Sequence, residues 1–202
     1  MSVEKTVLIT TISLIAVFLI VIAGVIWTHW PKYEEQFIEL GLLGKNKLAE
    51  DFFPNANSMV PVNAQIDWYI YLHNHMENTQ NVILKVKLLN SAMELPNDLK
   101  HEPSPYASFV EFPLVLSNNE TLIFPFSWSI TELNHPSASV VLEQLKVNDK
   151  TINVNVAAAS TSYFQMVFEL WVYDSSSGEY LFGWTSRDGL SSASVYIEFR
   201  TT

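Results

Sequence analysis

Cysteine is missing from all 202 residues of this sequence. The chain therefore cannot form disulfides, thiolate-ligated zinc or iron–sulfur sites, or a thiol nucleophile. Glycine is also scarce, with six residues, and the sequence has no glycine-rich loop of the kind that holds a phosphate. Basic residues are few, because 11 Lys and Arg stand against 21 Asp and Glu, for a net charge of −10. Such a charge argues against nucleic acid as a partner, since nucleic-acid-binding proteins need a basic surface.

One long segment near the N-terminus lacks charge of either sign. Residues 7–27, from Val7 to Trp27, contain no Asp, Glu, Lys or Arg. A helix of about 20 residues crosses a hydrocarbon core of ~30 Å. Trp27, Trp30 and Tyr33 resemble an interfacial aromatic belt, and Pro31 would end the helix. The segment predicts a single transmembrane helix; a cleaved signal peptide and a pilin-type leader are the alternatives.

The remaining charges predict an orientation and a domain boundary. The short N-terminal flank has a slight positive bias, which favours an N-terminus inside the cell. Residues 33–202 hold 9 basic and 20 acidic residues, and an anionic inner leaflet would repel such a domain. We therefore expect residues 1–32 to form an anchor with a short cytoplasmic tail. Residues 33–202 would form an extracytoplasmic domain.

After the anchor, the apolar residues recur with a period of two, which is typical of β-strands with one buried face. Residues 66–72 and 82–89 alternate in this way on either side of a polar turn, which predicts a hairpin. Pro113 predicts that its strand lies at a sheet edge or on a bulge. Further strands are predicted at 108–116, 121–129, 140–147, 151–156, 163–173, 179–184 and 194–200. Short strands with polar turns indicate an all-β protein, an antiparallel β-sandwich of immunoglobulin or fibronectin-III type.

Several of these segments carry a family-like pattern. Residues 37–54 read FIELGLLGKNKLAEDFFP, Asn74-His75 ends a strand, FPF stands at 124–126 and FEL at 168–170. In this order they resemble an archaeal family of uncharacterised membrane-anchored extracellular β-sandwich domains. Met76 departs from the acidic residue usual there, and the proline-rich stretch at 94–108 looks like an addition. The resemblance implies a fold and a location, and no reaction.

Two histidines are the best candidates for a metal site. In a strand, positions i and i+2 share a face, so His73 and His75 could both reach one copper or zinc ion. A third ligand would come from His101, His135, Glu77 or Glu102. The alternative is a polar strand end without metal.

Other candidate chemistry is sparse. The sequence has neither a Gly-x-Ser-x-Gly elbow nor a His-Glu-x-x-His helix, so no enzyme activity and no cofactor are predicted. Asn119 begins the sequon Asn-Glu-Thr and could be glycosylated. Tyr69 and Tyr71 alternate with core positions and are the pair that could stack on a sugar. Four tryptophans on strand patterns are predicted to pack in the core, namely Trp68, Trp128, Trp171 and Trp184.

These observations predict a role for the whole chain. A single-pass anchor and an acidic β-sandwich favour a structural or accessory subunit of a membrane or cell-envelope complex. Its expected partners are the membrane, through residues 7–27, and protein subunits or envelope proteins. The alternative function is a metal-handling module that uses His73 and His75.

Overall fold

The computed structural model describes residues 3–29, 35–159, 163–186 and 189–201. The chain divides into two compact units, Met1–Glu34 and Glu35–Thr202. The first unit contains helix α1, Val3–His29, whose side chains are described at positions 14–27. All of these side chains are apolar, and Leu14, Phe18 and Trp27 are exposed. Measured over the described residues, no helix is both long and apolar enough to cross a membrane.

The described residues of the second unit form β-strands and one short 3-10 helix, Pro54–Ala56. The strands are β1 (Ile38–Leu43), β2 (Met59–Val60), β3 (Ile66–Asn74), β4 (Gln80–Asn90), β5 (Val110–Leu116), β6 (Thr121–Asn134), β7 (Ser139–Val147), β8 (Lys150–Ala159), β9 (Phe164–Asp174), β10 (Glu179–Phe182), β11 (Trp184–Ser186), β12 (Gly189–Ser191) and β13 (Ser194–Thr201). The expectation of a mainly β protein is confirmed.

The strands form two main sheets and a small hairpin. The first sheet has the order β1-β3-β6-β7-β8, and the second has the order β2-β13-β9-β4-β5, with β10 paired to β9. Among the strands that the structure describes, β11 and β12 pair with each other and with no third strand. All described pairings are antiparallel except that of β13 with β2.

The core lies between the two main sheets, and alternation along each strand selects what enters it. In β3, Ile66, Trp68 and Ile70 are buried, while the residues between them are half-buried. Trp68 lies 6.3 Å from Phe168 of β9, centroid to centroid, so the two sheets interlock through aromatic rings. The two-residue period therefore predicted the buried face correctly.

The hairpin predicted from residues 66–72 and 82–89 is wrong. Strand β3 pairs with β1 and β6, whereas β4 pairs with β5 and β9 in the other sheet. The polar stretch between them crosses from one sheet to the other. Buried Asn74 holds the crossing, because its Nδ2 donates to the carbonyls of Asn78, Leu116 and Ser117 at 2.8–3.0 Å. Alternation shows which face of a strand is buried, and it does not identify the neighbouring strand.

Pro113 and Pro125 lie within strands, at positions where the hydrogen-bond ladder of the sheet does not need a backbone N–H from them. Strand β5 is an edge strand, which confirms the placement of Pro113. Strand β6 lies inside its sheet, but its pairing with β7 begins only at Trp128. Pro125 therefore has β3 as its one partner strand, opposite Tyr69.

Candidate functional site

The two predicted metal ligands come together at the end of β3. The ring centroids of His73 and His75 are 3.9 Å apart. Both ring nitrogens of His73 already have partners, because Nδ1 lies 2.6 Å from the Thr121 hydroxyl and Nε2 lies 3.2 Å from Asn119 Oδ1. The sequon side chains therefore hold this ring at both ends.

His75 has a different environment. Its ring stacks on Phe37 at 4.3 Å, and its Nε2 lies 3.8 Å from Glu39 Oε1. The proposed third ligand His101 contacts Ser192 instead, at 3.2 Å. Within the described residues, no three His, Asp or Glu side chains form a group that could hold a metal ion. The metal site thus stays a prediction.

Asn119 lies in the exposed turn before β6, with a φ of 56°. Its neighbour Glu120 accepts a hydrogen bond from the backbone N–H of Ser117 at 2.6 Å, and this bond lowers the pKa of the Glu120 carboxyl. The turn is therefore held by its own side chains. Glycosylation at Asn119 stays a prediction.

Tyr69 and Tyr71, the pair considered for sugar stacking, both contact other side chains of the protein. Tyr71 donates its hydroxyl to Glu39 at 2.8 Å, and this hydrogen bond raises the pKa of Tyr71. The ammonium of Lys47 lies 4.9 Å from the ring centroid of Tyr69. Both tyrosines are half-buried, so neither ring offers a wide open face.

Three of the four predicted core tryptophans are buried, and Trp171 is not. Trp68, Trp128 and Trp184 belong to the core. Trp171 lies on the outer face of the second sheet, where Lys85 Nζ sits 3.6 Å above its ring. The prediction for Trp171 is wrong because β9 carries apolar residues on both faces, so its sequence does not distinguish inner from outer positions.

Serine, histidine and aspartate do meet at one place, but not in catalytic order. The Ser192 hydroxyl lies 3.2 Å from His101 Nδ1 and donates to the Asp98 carbonyl at 3.1 Å. The Asp98 carboxylate accepts hydrogen bonds from the backbone N–H and the hydroxyl of Ser194. In a catalytic triad, the aspartate carboxylate would hydrogen-bond to the imidazole. Here the Asp98 carboxylate hydrogen-bonds to Ser194 instead.

An ion pair that the sequence analysis did not identify lies beneath residues 94–108, which we call the strap. Lys87 Nζ is 2.7 Å from Glu169 Oε2, and both side chains are buried. The backbone of Ser104 is held by both, since its N–H donates to Glu169 at 2.8 Å and its carbonyl accepts from Lys87 at 2.6 Å. Trp171 Nε1 also donates to Glu169 at 3.1 Å. The signal in the sequence was a carboxylate, Glu169, within the apolar run of β9, together with Lys85 and Lys87 on one face of β4.

A cleft of about 300 Å³ opens beside the β9–β10 turn, and we call it the hairpin cleft. Its floor is formed by the buried residues Met76, Val172 and Trp184. Its other large apolar residues are part-exposed, namely Tyr173 (40%), Leu181 (42%) and Leu190 (50%). Polar side chains complete it, including Gln36, Asn78, Gln80, Asp174, Ser176 and Thr185.

Local geometry fixes the walls of the hairpin cleft. Gly183 has a φ of 98°, and a Cβ there would lie 2.1 Å from the Ser191 carbonyl oxygen, so only glycine allows the chain to pass from β10 into β11. Trp184 Nε1 donates to the Gln36 carbonyl at 3.4 Å. Hydrogen bonds from Ser176 and Ser177 lower the pKa of Asp174 to about 2. The carboxylate is thus charged at any physiological pH.

Comparison with known proteins gives little beyond the architecture. No protein family matches the chain, and no curated protein matches it. Among solved structures, the chain is similar to the CARDB domain of a Pyrococcus furiosus protein, which was solved in complex with di-metal ions. The two share 8% identity, with a TM-score of 0.38, over 85% of this chain and 93% of that one. A superposition this loose carries no argument about ligand or function.

Proposed function

We propose that this chain is a single-pass membrane protein whose extracytoplasmic β-sandwich, of immunoglobulin or fibronectin-III type, serves as a structural or accessory subunit of a membrane or cell-envelope complex. The observation that carries the proposal is the uncharged segment at 7–27 ahead of a separate β unit with its own core. The membrane attachment rests on the sequence.

The character of the N-terminal helix supports this proposal. A helix that is apolar on all sides is stable only when it is covered by protein or by lipid. The described side chains of α1 are apolar all round, and Phe18, Ile20 and Trp27 are exposed. An apolar environment would therefore stabilise this helix, and a bilayer supplies one.

Membrane extraction tests the attachment. The full chain should stay in the membrane fraction through an alkaline carbonate wash. The double variant Phe18→Lys/Leu19→Lys should move to the supernatant, because each charge in the apolar segment costs about 2.5–3.5 kcal/mol on insertion. Leu99→Lys is the matched control, since Leu99 is a highly exposed leucine of the strap. Release of the wild-type chain by carbonate would contradict the proposal.

The absence of cysteine makes the orientation testable with single introduced thiols. Ala138→Cys lies in an exposed turn and should react with a membrane-impermeant maleimide on intact cells. Ser2→Cys should react only after lysis, because the N-terminus is expected inside. The reverse pattern would show that the sandwich faces the cytoplasm.

Metal handling by His73 and His75 is the alternative, and the short distance between the two rings favours it. If the accessory-subunit proposal holds, the variant His73→Asn/His75→Asn keeps both its metal content and its partners. The matched control is Tyr196→Asn, which changes a 47% exposed aromatic ring on β13 that is outside the candidate ligand set. Stoichiometric copper or zinc in the wild type, lost only in the double variant, would establish the alternative.

A further inference from the structure

We propose that a second cleft, at the edge of the first sheet, binds a dipeptide in its zwitterionic form. This cleft has a volume of about 420 Å³, and residues 45–46, 51–56 and 65–67 line it. We call it the gap cleft. Its volume falls within the range for small-molecule sites. The proposal goes beyond the subunit function and does not depend on the membrane anchor.

The gap cleft exists because β1 ends before its partner strand does. Strand β1 pairs with β3 only as far as Leu43, which lies opposite Tyr69. Beyond Leu43 the chain turns away, and the N–H of Gly44 donates to the carbonyl of Leu48 at 2.8 Å. Strand β3, however, begins at Ile66. The first residues of β3 therefore have no partner strand on this edge.

The backbone of Asp67 points into this gap. Asp67 lies opposite Ser127 of β6, but Ser127 donates its N–H to Asn148 Oδ1 at 3.0 Å and accepts from the Asn148 N–H at 2.7 Å. In an antiparallel pair, opposite residues that do not hydrogen-bond to each other turn their backbone groups to opposite sides. The N–H and C=O of Asp67 thus face the edge that β1 has left, where no backbone group of the described chain bonds to them. The amide of a dipeptide offers one N–H and one C=O, as an added strand would.

Charges of both signs lie beside this free edge. Asp67 Oδ1 accepts hydrogen bonds from Gln65 Nε2 and the Ser127 hydroxyl, both at 2.7 Å. These two bonds lower the pKa of Asp67, with a smaller contribution from the charge of Lys45. Both bonds go to Oδ1, so Oδ2 keeps its capacity to accept.

Lys45 and Asp67 leave room for a ligand between their charges. The two side chains influence each other through charge, yet they form no ion pair in the described part of the chain. An ammonium group would bind the Asp67 carboxylate, and a carboxylate would bind the Lys45 ammonium. A dipeptide carries both groups, one on each side of its amide.

The segment after Asp51 gives the gap cleft an apolar wall. Phe52 is half-buried, and Pro54 and Ala56 are exposed. Trp68 Nε1 donates to the Phe52 carbonyl at 2.6 Å and so fixes the start of this wall. Ala56 has a φ of 53°, a conformation that costs a non-glycine residue energy and is found preferentially at ligand sites. This wall would cover an apolar side chain of the dipeptide.

Calorimetric titration of the full chain in dodecyl maltoside, an uncharged detergent, tests the proposal. The probes are leucyl-alanine, alanyl-leucine and leucyl-leucine, each up to about 10 mM. At least one should bind saturably. Its N-acetylated and C-amidated forms should each bind about tenfold or more weakly, because each lacks one terminal charge. Free leucine, which has no amide, should also bind about tenfold or more weakly.

Two charge variants test the location of the site. Lys45→Gln and Asp67→Asn should each weaken dipeptide binding by about tenfold or more. The matched controls are Lys146→Gln and Asp149→Asn, which change exposed residues that do not line the gap cleft. Lys45 is itself exposed, so Lys45→Gln tests the site even where Asp67→Asn fails to fold.

Three results would overturn the proposal. The first is no saturable heat with any of the three dipeptides. The second is equal binding of a dipeptide, its blocked forms and free leucine, which would show that neither the termini nor the amide is recognised. The third is dipeptide binding that Lys45→Gln leaves unchanged, which would place the binding site outside the gap cleft.

Discussion

Single polar residues in buried places determine much of this molecule's local structure. Lys87 and Glu169 neutralise each other on the outer face of the second sheet and bind the backbone of Ser104. Asn74 plays a similar part where the chain crosses between sheets. Each of these side chains satisfies backbone groups that would otherwise be buried without partners.

The buried ion pair predicts a large effect of removing one partner. Lys87→Met leaves the Glu169 carboxylate buried without a cation, which should lower the free energy of unfolding by about 3–5 kcal/mol. The double variant Lys87→Met/Glu169→Leu should regain only part of this loss, because no lone charge remains but the N–H and C=O groups of Ser104 lose their partners. Urea titrations followed by tryptophan fluorescence measure both values.

The control for this prediction is Glu111→Gln. It removes the 3.9 Å contact of Glu111 with Lys85, in which the Glu111 side chain is 45% exposed. Exposed pairs contribute about 1 kcal/mol or less. If Lys87→Met costs no more than Glu111→Gln, the ion pair does not stabilise the strap.

Asp174 predicts a dependence of stability on acid pH. Its pKa falls from 3.8 to about 2 in the folded chain, first through the Ser176 hydroxyl and then through Ser177. The folded state therefore holds this proton less tightly than the unfolded state. The carboxylate stabilises the fold above pH 4, and the contribution disappears as the pH falls through 2.

Ser176→Ala should raise the pKa of Asp174 toward its ordinary value. It should therefore narrow the pH range over which the Asp174 carboxylate stabilises the fold. An NMR titration of the Asp174 carboxyl carbon measures the shift directly. Ser175→Ala changes an exposed residue of the same turn and serves as the control. An unchanged Asp174 pKa in Ser176→Ala would refute the role of the hydroxyl.

At the scale of elements, the sequence predicted the strands better than their partners. Alternation identified β3, β4 and β13, since each strand buries one face and the period of two shows it. It could not show that β3 and β4 belong to different sheets, because a strand has the same period in either sheet. The hairpin cleft was not predicted, because its residues come from four separate stretches that only the fold brings together.

The link between β10 and β11 predicts a glycine requirement. Gly183→Ala should lower the free energy of unfolding by more than about 2 kcal/mol, because it combines a positive φ with a clash against the Ser191 backbone. Gly178→Ala is the matched control. Gly178 also has a positive φ, of 75°, but no atom lies within 4 Å of the added Cβ, so the expected cost is about 1 kcal/mol. Equal losses in thermal or urea unfolding would contradict the clash.

At the scale of the whole molecule, the core belongs to the second unit alone. The buried apolar cluster runs from Ile38 to Phe199 and draws on both main sheets. A unit that buries its own core should fold without the residues ahead of it.

Expression of residues 33–202 tests that expectation. The fragment should remain in solution, sediment as a monomer at low concentration, and give a far-ultraviolet dichroism spectrum dominated by β-structure. A mainly helical spectrum would contradict the fold. Precipitation of the fragment, with the full chain folded in detergent, would show that the core needs the N-terminal unit.

The strand order also has a consequence for synthesis on the ribosome. Every described strand of the first sheet has been made by Ala159, but the second sheet is completed only when β13, the last strand that the structure describes, inserts between β2 and β9. Until then the inner face of the first sheet has no complete cover. Such distant pairings form slowly, and uncovered apolar strands attract chaperones or aggregate. The β unit is therefore most vulnerable while residues 160–201 are being synthesised, and a chain truncated before Ser194 would lack β13 and should be degraded.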